Sequence, residues 1–154
     1  MGRNILAVIV AYIAMVAITI ASLGATWAVL GAAGSFAGDG PYPSIAWLVS
    51  NVIFGFLAAL AGGCIARKIG RSDLAVKLLV GAILLLGLYG ALTAESSYQK
   101  RVEAAGIDKP VAELTFLEAG AVAKNPTWFL WTIPLIGAAG ALLGGRKRSP
   151  SPTQ

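Results

Sequence analysis

Few residues in this chain have the chemistry to act on a substrate. There is no histidine and one cysteine, Cys64, which excludes imidazole ligation of haem, a histidine proton relay and an intramolecular disulfide. Flanked by Gly63 and Ile65, Cys64 reads as a buried, inert thiol. The densest charged cluster is basic: GGCIARKIGRSDLAVK, residues 62–77, holds Arg67, Lys68, Arg71 and Lys77. Such a cluster can receive an acidic group, yet no glycine-rich phosphate loop or interleaved aromatic residues accompany it. The carboxylates Glu95, Glu103, Asp108, Glu113 and Glu118 follow no acid–base or metal-ligand spacing. These residue types predict a protein that is not an enzyme and carries no cofactor or metal. No nucleic-acid partner is expected either, because the net charge of +5 is not spread along a continuous basic face.

The elements that hold these residues are apolar. Of 154 residues 57% are hydrophobic and 12% charged, and the mean hydropathy is +0.77, which does not describe a water-soluble domain. A helix needs about 20 apolar residues to cross the ~30 Å hydrocarbon core while satisfying its own backbone. Residues 5–30, 45–66, 74–94 and 127–145 qualify. The alternation of a membrane β-barrel is missing. The expected fold is an all-α integral membrane four-helix bundle formed by residues 1–148, with an external loop at 95–126 and a disordered tail at 149–154.

Charge gives this bundle a direction. One end carries Arg3, Arg67, Lys68, Arg71, Lys77, Arg146, Lys147 and Arg148, eight cations against Asp73 alone. The other has Lys100, Arg101, Lys109 and Lys124 against six acidic residues, Asp39, Glu95, Glu103, Asp108, Glu113 and Glu118. Positive segments stay cytoplasmic, so both termini are expected inside the cell membrane of a bacterium, with the basic cluster a topological signal that also meets anionic lipid. Tryptophan and tyrosine collect towards the opposite end at Trp27, Tyr42, Trp47, Tyr89, Tyr98, Trp128 and Trp131, as expected of an interfacial belt. The first apolar run exceeds a signal-peptide core and lacks a small-x-small close, so an uncleaved first span is expected.

The connections differ in kind. GAAGSFAGDGPYPS is rich in glycine and proline and predicts a tight external loop. Residues 95–105 have no breaker and continue the third helix outward, with Gly106 as terminator. Pro110 then suits the start of a short amphipathic helix with Val111, Leu114, Leu117 and Ala121 on one side. Small residues recur every fourth position at Gly55, Ala59 and Gly63, at Gly87 and Ala91, and at Gly137, Ala141 and Gly145, predicting close helix crossings within the bundle or between copies. Pro134 predicts a kink. Tyr12, Ser50 and Asn51 are the candidate polar contacts within the membrane, and Asn51 is the costliest to leave without an interhelical partner. A faint repeat matches GRNILAV at residues 2–8 to GRSDLAV at residues 70–76, and Trp47 to Trp128, as two parallel hairpins related about the membrane normal would.

The layout looks like that of small multidrug transporters, but their first helix carries a glutamate and this one has no acidic residue. It also looks like that of small four-span fluoride channels, whose two-way insertion needs little charge bias. MGRNILAVIVAYIAM and LVSNVIFGFLAALAGG, in the first half of the chain, resemble uncharacterised small four-span bacterial membrane proteins. That resemblance implies a fold and no activity. The expected role is a non-catalytic accessory or assembly subunit, or a homo-oligomeric bundle, whose partners are the lipid bilayer and other membrane subunits or itself. The alternative is a small channel or facilitator for a small neutral or hydrophobic solute.

Overall fold

The computed structural model describes residues 2–146, and the regular elements among them are helices. These are α1 (Gly2–Ser35), α2 (Ile45–Gly70), α3 (Asp73–Ala105), a short α4 (Phe116–Val122) and α5 (Thr127–Gly144), with one 3₁₀ turn at Val111–Glu113. All but α4 and the 3₁₀ turn are long and apolar enough to cross a membrane, making this a small multi-pass membrane protein. Lys147, Arg148 and the tail at 149–154 lie outside the described residues.

Local chemistry sets the helix ends. Ser44 accepts the Trp47 N–H at 3.2 Å and Ser72 the Ala75 N–H at 3.4 Å, capping α2 and α3. Gly106, at φ 54°, closes α3 where expected and donates its N–H to the Val102 carbonyl. At 33 residues α3 is about 50 Å long, well beyond the ~30 Å hydrocarbon core. It is longer than one crossing requires, and its charged residues from Glu95 onward fall in the excess. The break in α1 falls at Gly31, whose φ of 63° and ψ of −175° leave the helical region one residue after the expected end of the span.

The helices pack small residues inward and turn branched ones outward. Ala7, Ala11, Ala59, Ala66, Ala75, Leu79 and Ala141 are fully buried, whereas Ile13, Leu85 and Leu135 are more than half exposed. That is the order expected when the surroundings are as apolar as leucine and helices associate by close approach. The tightest crossing joins α2 to α5. A Cβ on Gly63 would collide with the Ala141 carbonyl, and one on Gly144 with the Leu60 carbonyl, while at Gly140 it would lie 2.8 Å from the Phe56 carbonyl. Gly87 receives Pro134, Gly145 receives Val76, and Gly137 sits against Ile83. Gly55 has no atom within 4 Å of a built Cβ, and Ala91 lines a crevice between α3 and α5. Gly55 therefore does not serve a close crossing within the chain.

The hairpins α1–α2 and α3–α5 meet reciprocally. Asn4 and Ser72, equivalent in the sequence repeat, are joined by a 2.9 Å bond from the Ser72 hydroxyl. Ala7 and its repeat mate Ala75 are both fully buried. The starts of α1 and α3 and the ends of α2 and α5 share one end of the bundle, where Arg3 donates to the Gly70 carbonyl at 3.1 Å and Arg67 to that of Gly145 at 3.3 Å.

The segment between α3 and α5 departs from the single helix expected from Pro110. It forms the 3₁₀ turn, an extended Leu114, and then α4. The expected apolar side is broken accordingly: Leu114 is 6% exposed but Leu117 is 81% exposed. Leu114 and Ala119 instead form a small outer core with Phe36, against which Trp27, Ile107 and Val122 pack.

Candidate functional site

At the end of the bundle away from Arg3 and Arg67, α4 lies over a cavity of about 300 Å³ between α1, α2 and α5. Its walls are aromatic. Trp27 of α1 makes edge-to-face contacts with Phe36, Trp47 and Phe116 at centroid separations of 6.5, 6.0 and 6.0 Å, the geometry the ring quadrupole favours. Phe129 of α5, 5% exposed, closes one side. The polar lining consists of Ser35, Asn51 and Asn125, and no lining residue is ionisable. The Ser35 hydroxyl is already committed to the Gly31 carbonyl at 2.7 Å. No hydrogen bond engages the carboxamide of Asn51 or Asn125 among the described residues. The interhelical bond expected of Asn51 is not formed; the residue lines the cavity instead.

The roof is held by charge and caps. Thr115 and Glu118 form a capping box: the Thr115 N–H donates to Glu118 Oε2 at 2.8 Å, and the Glu118 N–H to the Thr115 hydroxyl at 3.4 Å. Lys109 Nζ donates to Glu118 Oε1 at 2.9 Å. The Lys109 ammonium, with the Thr115 bonds, holds the Glu118 carboxyl at about 2, and Glu118 in turn raises the Lys109 pKa. Lys124 donates its backbone N–H to the Pro41 carbonyl at 2.8 Å, tying the end of this segment to the first loop. Its ammonium reaches Glu95 at 3.0 Å and lies 5.2 Å from the Tyr98 ring centroid, and the Glu95 carboxylate raises its pKa.

The basic end is a separate surface. Lys68, Arg71, Lys77 and Arg146 are exposed there, and Arg67 pairs with Asp73. These groups form a charged rim at that end. The other polar candidates do not bridge helices: Ser50 bonds the Ala46 carbonyl of its own helix at 2.9 Å, and Tyr12 lines an open apolar groove with Thr19. Cys64 is exposed rather than buried, its thiol donating to the Gly144 carbonyl at 3.1 Å. No group of three potential metal ligands occurs among the described residues. No family model, curated protein or solved structure matches this chain.

Sequence reasoning marked Asn51 and the tryptophans but not the cavity they form. Phe116, Asn125 and Phe129 were missed as its lining. A signal for part of it was present: TFLE, residues 115–118, has the threonine-to-glutamate spacing of a capping box, which fixes the start of α4 and places Phe116 first in it.

Proposed function

We propose that the chain is a non-catalytic helical bundle that works by contact, as an accessory or assembly subunit beside other membrane proteins or as a homo-oligomer. It sits in the cell membrane with both termini cytoplasmic. The supporting observation is a set of open glycines: at Gly24, Gly81 and Gly90 a built Cβ meets no atom within 4 Å. Glycine within a helix costs roughly 0.5–1 kcal/mol relative to alanine, and at these positions no contact inside the chain offsets that cost. A neighbouring helix approaching α1 or α3 would. The basic end accords with the cytoplasmic placement of both termini.

Native mass spectrometry in mild detergent tests it. A stoichiometric foreign subunit or a defined oligomer is expected, weakened by Gly81→Leu; a bare monomer at every detergent and concentration contradicts the reading. The alternative, a facilitator for a small neutral or hydrophobic solute, has the outer cavity in its favour. Against it, the inner half is filled by Ala7, Ala11, Ala66, Leu79 and Ala141, all fully buried, so a path would have to run between copies.

A further inference from the structure

From the cavity beneath α4 we infer a binding site for a small, uncharged, ring-bearing amphiphile that carries a hydroxyl or carbonyl group. This inference is independent of the contact reading. Volume comes first: about 300 Å³ is at the lower end for a small-molecule site, so the ligand is one or two rings in size. Charge comes second. No acidic or basic residue lines the space, and burying an ion there without a counter-charge would be strongly unfavourable. A neutral ligand is selected.

Recognition of the rings and of a polar group is divided between the walls and the floor. Trp27, Trp47 and Phe116 present ring faces and edges from three different elements, and their mutual contacts hold them in place before a ligand arrives, which lowers the ordering cost of binding. Asn51 lies one helical turn below Trp47 on α2, lines the same space, and has a carboxamide, donor and acceptor together, that no hydrogen bond engages among the described residues. An aliphatic chain would leave that amide unpaired; a hydroxyl or carbonyl satisfies it. Asn125, at the exposed mouth, offers a second amide to a polar substituent pointing outward.

The test uses the full chain in lipid nanodiscs, with Trp128→Phe and Trp131→Phe so that the cavity tryptophans, Trp27 and Trp47, are the only ones left. The bromine of 4-bromophenol, neutral at pH 7, quenches tryptophan on contact. Saturable quenching is expected, with Asn51→Leu weakening apparent affinity about fivefold to tenfold, as loss of one buried hydrogen bond predicts. Anionic 4-bromobenzoate should quench far less, and bromobenzene should not distinguish wild type from Asn51→Leu. Gly120→Leu supplies a second variant: Gly120 is exposed at the edge of the cavity and a Cβ there meets nothing within 4 Å, so leucine narrows the mouth without disturbing α4, and the apparent affinity should fall while the circular dichroism is retained. Linear quenching that is equal in wild type, Asn51→Leu and Gly120→Leu would overturn the assignment. So would a co-purifying phospholipid, seen by native mass spectrometry, that Gly120→Leu displaces.

Discussion

At the residue scale, the same amino acid has opposite consequences depending on what lies over its missing side chain. Gly144 on α5 faces the Leu60 carbonyl of α2 so closely that a methyl group forces one backbone away from the other, whereas Gly81 on α3 faces open surroundings. Gly144→Ala is therefore expected to destabilise the bundle by about 1–3 kcal/mol, the usual cost of overpacking. Gly81→Ala should be neutral or stabilise the isolated chain by about 0.5–1 kcal/mol, because alanine is the better helix former. Thermal unfolding in detergent followed by circular dichroism measures both, and equal shifts for the two variants would contradict the crossing described for α2 and α5. Spacing alone could not separate these glycines: both lie in apolar helices among small residues, and only the neighbouring chain decides which is filled. Asn51 illustrates the same limit. Its cost of burial was legible, but whether a helix or a cavity faces it depends on where α4 lands.

The elements were most legible where one local rule decides. The continuation of α3 to Ala105 and its stop at Gly106 followed from an absence of breakers and one residue suited to positive φ. The external helix was harder, because its apolar residues have no single period. Leu114 is extended and buried, whereas Leu117, three residues on, is exposed in a helix; tertiary contact with Phe36 and Trp27 overrides the local pattern. What secures α4 is Glu118, whose carboxyl lies at about 2, below its usual 4.5, through Lys109 and Thr115. The sign follows directly. A carboxyl with a lower pKa in the folded state favours that state fully above 4.5 and loses the contribution as pH falls from 4.5 to about 2. Protection of the α4 amides, after correction for the intrinsic pH dependence of exchange, should accordingly fall as pH drops across that window and stay flat from pH 5 to 7, with Glu113 the other carboxylate acting on Lys109. Glu118→Gln keeps a capping-box acceptor but loses the ion pair, so exchange should be raised at pH 7 and show a much weaker acid transition. Separately, Gly31→Ala forces an L side chain to φ 63° and ψ −175° and should cost about 1–3 kcal/mol, read as a lower unfolding temperature; no change would mean that α1 can run straight through residue 31.

At the scale of the whole molecule, the number of spans and the clustering of charge at the two ends follow from composition, because apolar length and the position of lysine and arginine are properties of the chain itself. The packing order does not. That α2 lies against both α1 and α5, and that α3 reaches the bundle chiefly through α5, depends on which small faces meet. The contact of Asn4 with Ser72, and the burial of Ala7 and Ala75, join equivalent positions of the weak sequence repeat. Orientation is the property on which the proposed role most depends, and it can be tested without disturbing that packing. Lys68, Arg71 and Lys77 are exposed, whereas Arg67 is engaged by Asp73 and the Gly145 carbonyl and should be left in place. Replacing those three exposed cations with glutamine and converting Asp39, in the opposite loop, to lysine levels the cation count of the two ends. If retained cations set the direction, reporter fusions at the C-terminus of the wild type report the cytoplasm alone, and the levelled variant reports both sides. Neutralising Lys100 and Arg101 instead steepens the bias and should leave the reporters unchanged. A levelled variant that still inserts one way would mean that something other than the basic end, such as folding of the outer segment around Phe36, commits the chain to its direction.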